Sequence, residues 1–202
     1  MADAAVIRKL AERAAALGAT RVAPLPAARV VVDERVTLKC RVPLCSSWGR
    51  NLMCPPNVPT PDEMRRVLAG YTDALLVQAD MPLGGEEAAA RLGGRPYAEA
   101  CDAGALPEVL AAQRAFAGLM TDLEREAFAL GCRWAAAFAG GECVLCDECV
   151  GQGSGLPCRH PFAARPSMEA VGIDVVATAA AAGLTVAFPA QRPSWTGLLL
   201  VD

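Results

Sequence analysis

The stretch Trp134–Ala135–Ala136–Ala137–Phe138–Ala139–Gly140–Gly141–Glu142–Cys143–Val144–Leu145–Cys146–Asp147–Glu148–Cys149 runs from an apolar segment straight into a tight group of thiols. Trp134 to Ala139 reads as a strand, and the cysteines follow in the loop that leaves it. Upstream, Pro107 opens a long helix. Phe116, Met120, Leu123, Ala127 and Leu130 alternate steps of four and three along it, the spacing of one buried stripe, and Gly131 ends it. Helix, strand and site loop in that order indicate an α/β unit.

The same alternation extends outward. Thr60, Pro61 and Glu63 form a helix start, with Thr60 as cap and Glu63 completing a capping box; this helix ends near Gly70. Ala74 to Gln78 reads as a strand, and so does Val30 to Leu38 with its valines. Asp3 caps a first helix ending at Gly18, and Pro24 and Pro26 break the chain after it. Residues 81–105 are weakly patterned and glycine-rich, a long loop with room for one short helix. Ser167 to Ala182 reads as a helix, capped by Ser167, with Glu169 as an acid of the first turn. Short apolar runs follow at Leu184 to Phe188 and Leu198 to Val201. The expectation is one α/β domain over residues 1–202, with a mainly parallel sheet flanked by helices. Both cysteine-rich loops, at about 40–56 and 141–166, then lie at the carboxyl edge of the sheet and face the same side.

The composition narrows the function. Hydrophobic residues make up 53% of the 202, enough for a folded globule with a real core. With 19 basic and 22 acidic residues the net charge is −3, which leaves no electrostatic footprint for nucleic acid. No apolar run approaches the ~20 residues that span a bilayer. Met1 to Leu17 carries Asp3 and Glu12 and lacks an unbroken apolar core, so it is not read as a signal peptide. The expected location is cytoplasmic, where thiols stay reduced and available for metals.

Seven of the nine cysteines fall into two groups. Cys143, Cys146 and Cys149 form C-x2-C-x2-C, and Cys158 follows across a glycine-rich loop that can bend back. Two-residue spacing lets a short loop curl round a cube of iron and sulfide, so this group reads as a 4Fe-4S site. The rival reading is a structural zinc with four cysteine ligands. Cys40, Cys45 and Cys54 form C-x4-C-x8-C and supply three thiolates for a second cluster. Its fourth iron is open, or takes Cys101 or Cys132; Cys132 reads more simply as a core residue. His160, beside Cys158, is either an alternative ligand, a proton carrier or a donor to a sulfide, or simply a loop histidine; Asp147 and Glu148 either lower the potential of a nearby cluster or are solvated loop acids. Trp48, Arg50 and Asn51 either shield a cluster, bind an anion or simply pack the loop.

Several of these segments together resemble a known family. They are Cys143 to Cys149, Pro157–Cys158–Arg159–His160–Pro161, Arg165 to Ala170, Gly172 to Val175, and Cys45–Ser46–Ser47–Trp48–Gly49 through Cys54–Pro55–Pro56. The chain over roughly residues 36–188 resembles the DUF2284 family of predicted metal-binding proteins. The resemblance implies metal binding through iron–sulfur clusters and implies no particular reaction. The family pattern more often has tyrosine near Trp48, and it does not include Cys132.

Three functions fit these residues. The first is an accessory protein that carries one or two 4Fe-4S clusters and passes electrons to a redox partner protein. The second is an enzyme whose Cys40/Cys45/Cys54 cluster keeps one iron open as a Lewis acid. The third is a binding module stabilised by zinc.

Overall fold

The computed structural model describes residues 3–83, 85–92, 106–151, 153–186 and 193–202. In chain order its elements are α1 (Ala4–Ala16), β1 (Arg21–Pro26), α2 (Glu34–Arg41), α3 (Pro61–Leu68), β2 (Asp73–Asp80), α4 (Gly85–Leu92), α5 (Pro107–Ala129), β3 (Ala135–Phe138), α6 (Val175–Ala181) and β4 (Ser194–Val201). Short 3-10 turns cover Ala27–Arg29 and Glu169–Val171. The four strands form one sheet in the order β1-β2-β4-β3.

Every neighbouring pair in that sheet is antiparallel, which corrects the expectation of a mainly parallel sheet. The physical reason lies in the sheet's two covered faces. Leu75, Val77, Leu199, Val201 and Ala137 pack on one face against Leu10 and Ala14 of α1 and against Phe116, Met120, Leu123 and Ala127 of α5. Ala74, Leu76, Leu198, Leu200 and Phe138 pack on the other, against Met64 and Leu68 of α3 and against Met168, Val171, Ile173 and Ala179. Strands buried on both faces read as unbroken apolar runs, the usual mark of parallel strands. Here helices cover an antiparallel sheet on both sides and produce the same pattern.

Two elements differ locally from the reading of the sequence. The segment Arg21–Pro26 is a strand despite Pro24 and Pro26. It pairs only with β2, and an edge strand tolerates residues that cannot donate to the ladder. The valine-rich segment expected as a strand instead turns into α2 at Asp33, whose carboxylate accepts the Arg35 N–H at 2.8 Å. Only Val32 keeps a strand-like bridge, to Ile173. An N-cap followed by Glu34 in the first turn outweighs the valines.

The other helices follow their signals. Asp3 caps α1, and Thr60 and Glu63 form the full capping box of α3 with Pro61 in its first turn. The region from Ser167 divides into the 3-10 turn and α6 at Gly172, where φ is +83°. Within the weakly patterned 81–105 segment α4 is helical; Cys101 lies outside the described residues. Among the described residues no helix is long and apolar enough to cross a membrane.

Candidate metal centre

The second cysteine loop begins and ends at one place. The Ala139 N–H donates to the Pro166 carbonyl at 2.9 Å and the Met168 N–H to the Ala139 carbonyl at 3.2 Å, so Ala139 and Ser167 form a parallel bridge. Between them the chain is held along α5. Gln113 Nε2 donates to the Glu142 carbonyl at 3.0 Å, Arg114 Nε to the Val144 carbonyl at 2.7 Å, and Thr121 Oγ1 to the Ala163 carbonyl at 3.0 Å. One turn further, Glu124 accepts from Arg165 Nε at 3.0 Å and from the Ala137 N–H at 2.6 Å. Gln113, Thr121 and Glu124 are eight and three residues apart and share one side of the helix. Gly141 passes directly under this clamp with φ +74°, and a Cβ there would stand 2.8 Å from Gln113 Nε2.

The result is an open cleft of about 910 Å3 whose wall includes Cys143, Cys146, Cys149 and Cys158. The four thiols predicted to act together thus line one space. The same cleft is lined by Ser46, Ser47 and residues 49–53, inside the first cysteine loop.

That first loop does not follow a strand, as the sequence suggested; it follows α2, and Cys40 stands in the last turn of the helix. The Cys45 N–H returns to the Cys40 carbonyl at 3.0 Å, Trp48 to Cys45 at 3.1 Å, and Cys54 to the Asn51 carbonyl at 3.0 Å. The Gly49 N–H closes the loop on the Pro55 carbonyl at 2.9 Å. Arg41 lies over the Trp48 ring, 5.7 Å from its centroid.

The two loops touch, but not at a common carboxyl edge, which an antiparallel sheet does not have: one leaves a helix and the other a strand. The Ser47 hydroxyl donates to the Glu142 carboxylate. Asn51 Nδ2 donates to the Cys143 carbonyl at 2.9 Å, and the Leu52 N–H donates to Cys149 Sγ at 3.4 Å. The His160 N–H reaches Cys158 Sγ at 3.4 Å, so the backbone of His160 serves the thiol.

Burial raises the Cys143 pKa, the Leu145 N–H opposes that rise, and charge on Cys158, Cys146 and Cys149 adds to it. Burial pushes Cys54 up to about 12, with Glu142, Cys45, Cys40 and Cys143 adding repulsion. Cys40 is raised by burial, then by Cys45 and Glu169. At Cys40, Cys54 and Cys143, burial first and neighbouring thiols second thus oppose ionisation, a cost that a bound cation relieves. Among the described residues no three Cys, His, Asp or Glu side chains already converge on a single-ion position. The donor set nevertheless fits a soft metal or cluster: all eight described cysteines are free, and backbone N–H groups are aimed at Cys149 and Cys158.

Of the other candidates, Cys132 packs against the α1/α5 core and joins neither group. Asp147 is fully exposed and pairs with Arg114 at 3.1 Å. Reading the sequence passes over Gln113, Arg114, Thr121 and Glu124. Their only mark is that Gln113 and Thr121 are polar residues buried on the helix beside its apolar stripe.

A two-face antiparallel sheet that presents two interlocked thiol loops defines a small α+β protein built around a sulfur-rich site. The chain belongs to the DUF2284 family of predicted metal-binding proteins, whose model matches residues 23–201. No curated protein and no solved structure matches it.

Proposed function

We propose that the chain holds a 4Fe-4S cluster on Cys143, Cys146, Cys149 and Cys158, and a second on Cys40, Cys45 and Cys54, and passes single electrons to a partner protein. The observation that carries this reading is the single cleft lined by all four thiols of the second group. When bound, such clusters supply one-electron chemistry at a potential set by charge, exposure and hydrogen bonds to sulfur. The chain's own part is to gather the thiolates and aim N–H groups at their sulfurs. A reducing cytosol, where thiols remain available, is the compartment this role requires.

A second reading applies to the first group alone. Cys132 packs against the core and does not supply a fourth thiolate to Cys40, Cys45 and Cys54. That favours an iron with one position open to a substrate, a Lewis-acid enzyme site. The test is anaerobic protein reduced stepwise with dithionite under EPR. A reversible one-electron signal supports electron transfer. A signal that shifts when small carboxylates are added supports the open iron. Zinc in place of iron and sulfide contradicts both and leaves a zinc-stabilised binding module.

A further inference from the structure

Asn51 is a polar residue buried between the two cysteine loops, 8% exposed, and its side chain is used on both sides. Its Nδ2 donates to the Cys143 carbonyl at 2.9 Å, and its Oδ1 accepts the Met53 N–H at 2.9 Å. Its own carbonyl accepts from the Cys54 N–H at 3.0 Å and from Asn57 Nδ2 at 3.2 Å. Its N–H is tied to the Ser47 carbonyl at 3.1 Å. The next residue, Leu52, aims its N–H at Cys149 Sγ across the loop boundary, at 3.4 Å. One residue thus fixes the backbone of the first loop and anchors it to the first cysteine of the second.

From this geometry we infer that Asn51 is a positioning residue for the Cys143/Cys146/Cys149/Cys158 site: it holds the Leu52 amide on the Cys149 sulfur, so the first cysteine loop tunes the redox potential of the second. The inference rests on the proposal that these four thiols hold an iron–sulfur cluster. An N–H dipole pointing at a ligand sulfur stabilises the more negative, one-electron-reduced form and raises the potential. Asn51 touches no ligand sulfur itself; it acts through the backbone of Leu52 and Cys143. Because the same loop carries Cys45 and Cys54, disturbance of the first group is transmitted along this route to the second.

The test is a redox titration of the full chain, prepared anaerobically, with dithionite as the one-electron reductant and EPR as the readout. It compares wild type, Asn51→Ala, Asn51→Asp and Ser47→Ala. Asn51→Asp keeps the acceptor for Met53 and turns the donor facing the Cys143 carbonyl into an acceptor. Ser47→Ala cuts a different contact between the loops, the one to Glu142. The expected result is a more negative midpoint potential in both Asn51 variants, with iron content unchanged, and a smaller shift in Ser47→Ala. Loss of iron from both Asn51 variants, with native far-UV circular dichroism and an intact cluster in Ser47→Ala, makes Asn51 a requirement for assembling the site and overturns its role in tuning the potential. Wild-type potentials in both Asn51 variants, or shifts no larger than that of Ser47→Ala, overturn it. A wild-type chain without iron overturns the cluster reading itself, a result distinguishable from all of these.

Discussion

At the scale of single residues, the site depends on polar groups that sit where apolar ones are expected. Glu124 joins three pieces of chain: α5, β3 through the Ala137 N–H, and the end of the second cysteine loop through Arg165. The pair is largely buried, with side chains 17% and 12% exposed. Removing one partner leaves the other charged and unpaired, at a cost of about 3–5 kcal/mol. Glu124→Ala is therefore expected to lower the free energy of unfolding by that order, read as a lower urea midpoint with an unchanged slope; a loss near that of an exposed pair, under about 1 kcal/mol, contradicts the role. Gly141 makes a sharper demand, because its left-handed backbone and the nearby Gln113 amide both exclude a side chain. Gly141→Ala is expected to displace the loop beginning at Glu142 and to reduce metal content more than Gly153→Ala. At Gly153 an added Cβ meets nothing within 4 Å, although φ is also positive. Equal retention of metal by the two variants contradicts it.

At the scale of elements, the legible parts were those with a local chemical signal. The capping box at Thr60, the stripe along α5 and the strand from Asp73 all form as their residues dictate. Strand direction was not legible, since Leu75 to Val77 and Leu198 to Val201 are buried on both faces whichever way the neighbour runs. Nor was α2, where a cap at Asp33 competes with a valine run and wins. That cap has a pH signature. The Arg35 guanidinium and its N–H lower the Asp33 pKa from the usual 3.8 to about 2. A depressed folded-state pKa means stability that is fully present above the unfolded value and lost as pH falls through the folded one. The start of α2, and with it the approach to Cys40, is expected to weaken as pH drops from about 4 to about 2. Asn is also a good cap, so Asp33→Asn keeps the helix while flattening this part of the pH–stability curve. An unchanged acid limb in that variant contradicts the assignment.

At the scale of the whole molecule, the sheet is a shared wall between two cores, and the cysteine loops meet beyond one end of β3. Leu199 belongs to the core under α1 and α5, while Leu198 belongs to the core under α3 and α6. Both are fully buried, so Leu198→Ala and Leu199→Ala are each expected to cost about 2–5 kcal/mol in denaturant unfolding. A loss below about 1 kcal/mol in either shows that its face is not packed as described. The cysteine pattern made the candidate site visible, because tight thiol spacing serves little else. What joins the groups was not visible, since Asn51 contacts Cys143 across ninety-two residues of sequence and no periodicity links them. The most direct test of the central claim is iron and acid-labile sulfide analysis of the anaerobically purified full chain, beside a Cys146→Ser variant. The account predicts iron and sulfide in equal amounts in the wild type, with a marked loss of both in the variant. Wild-type protein that contains zinc alone, or no metal, contradicts it.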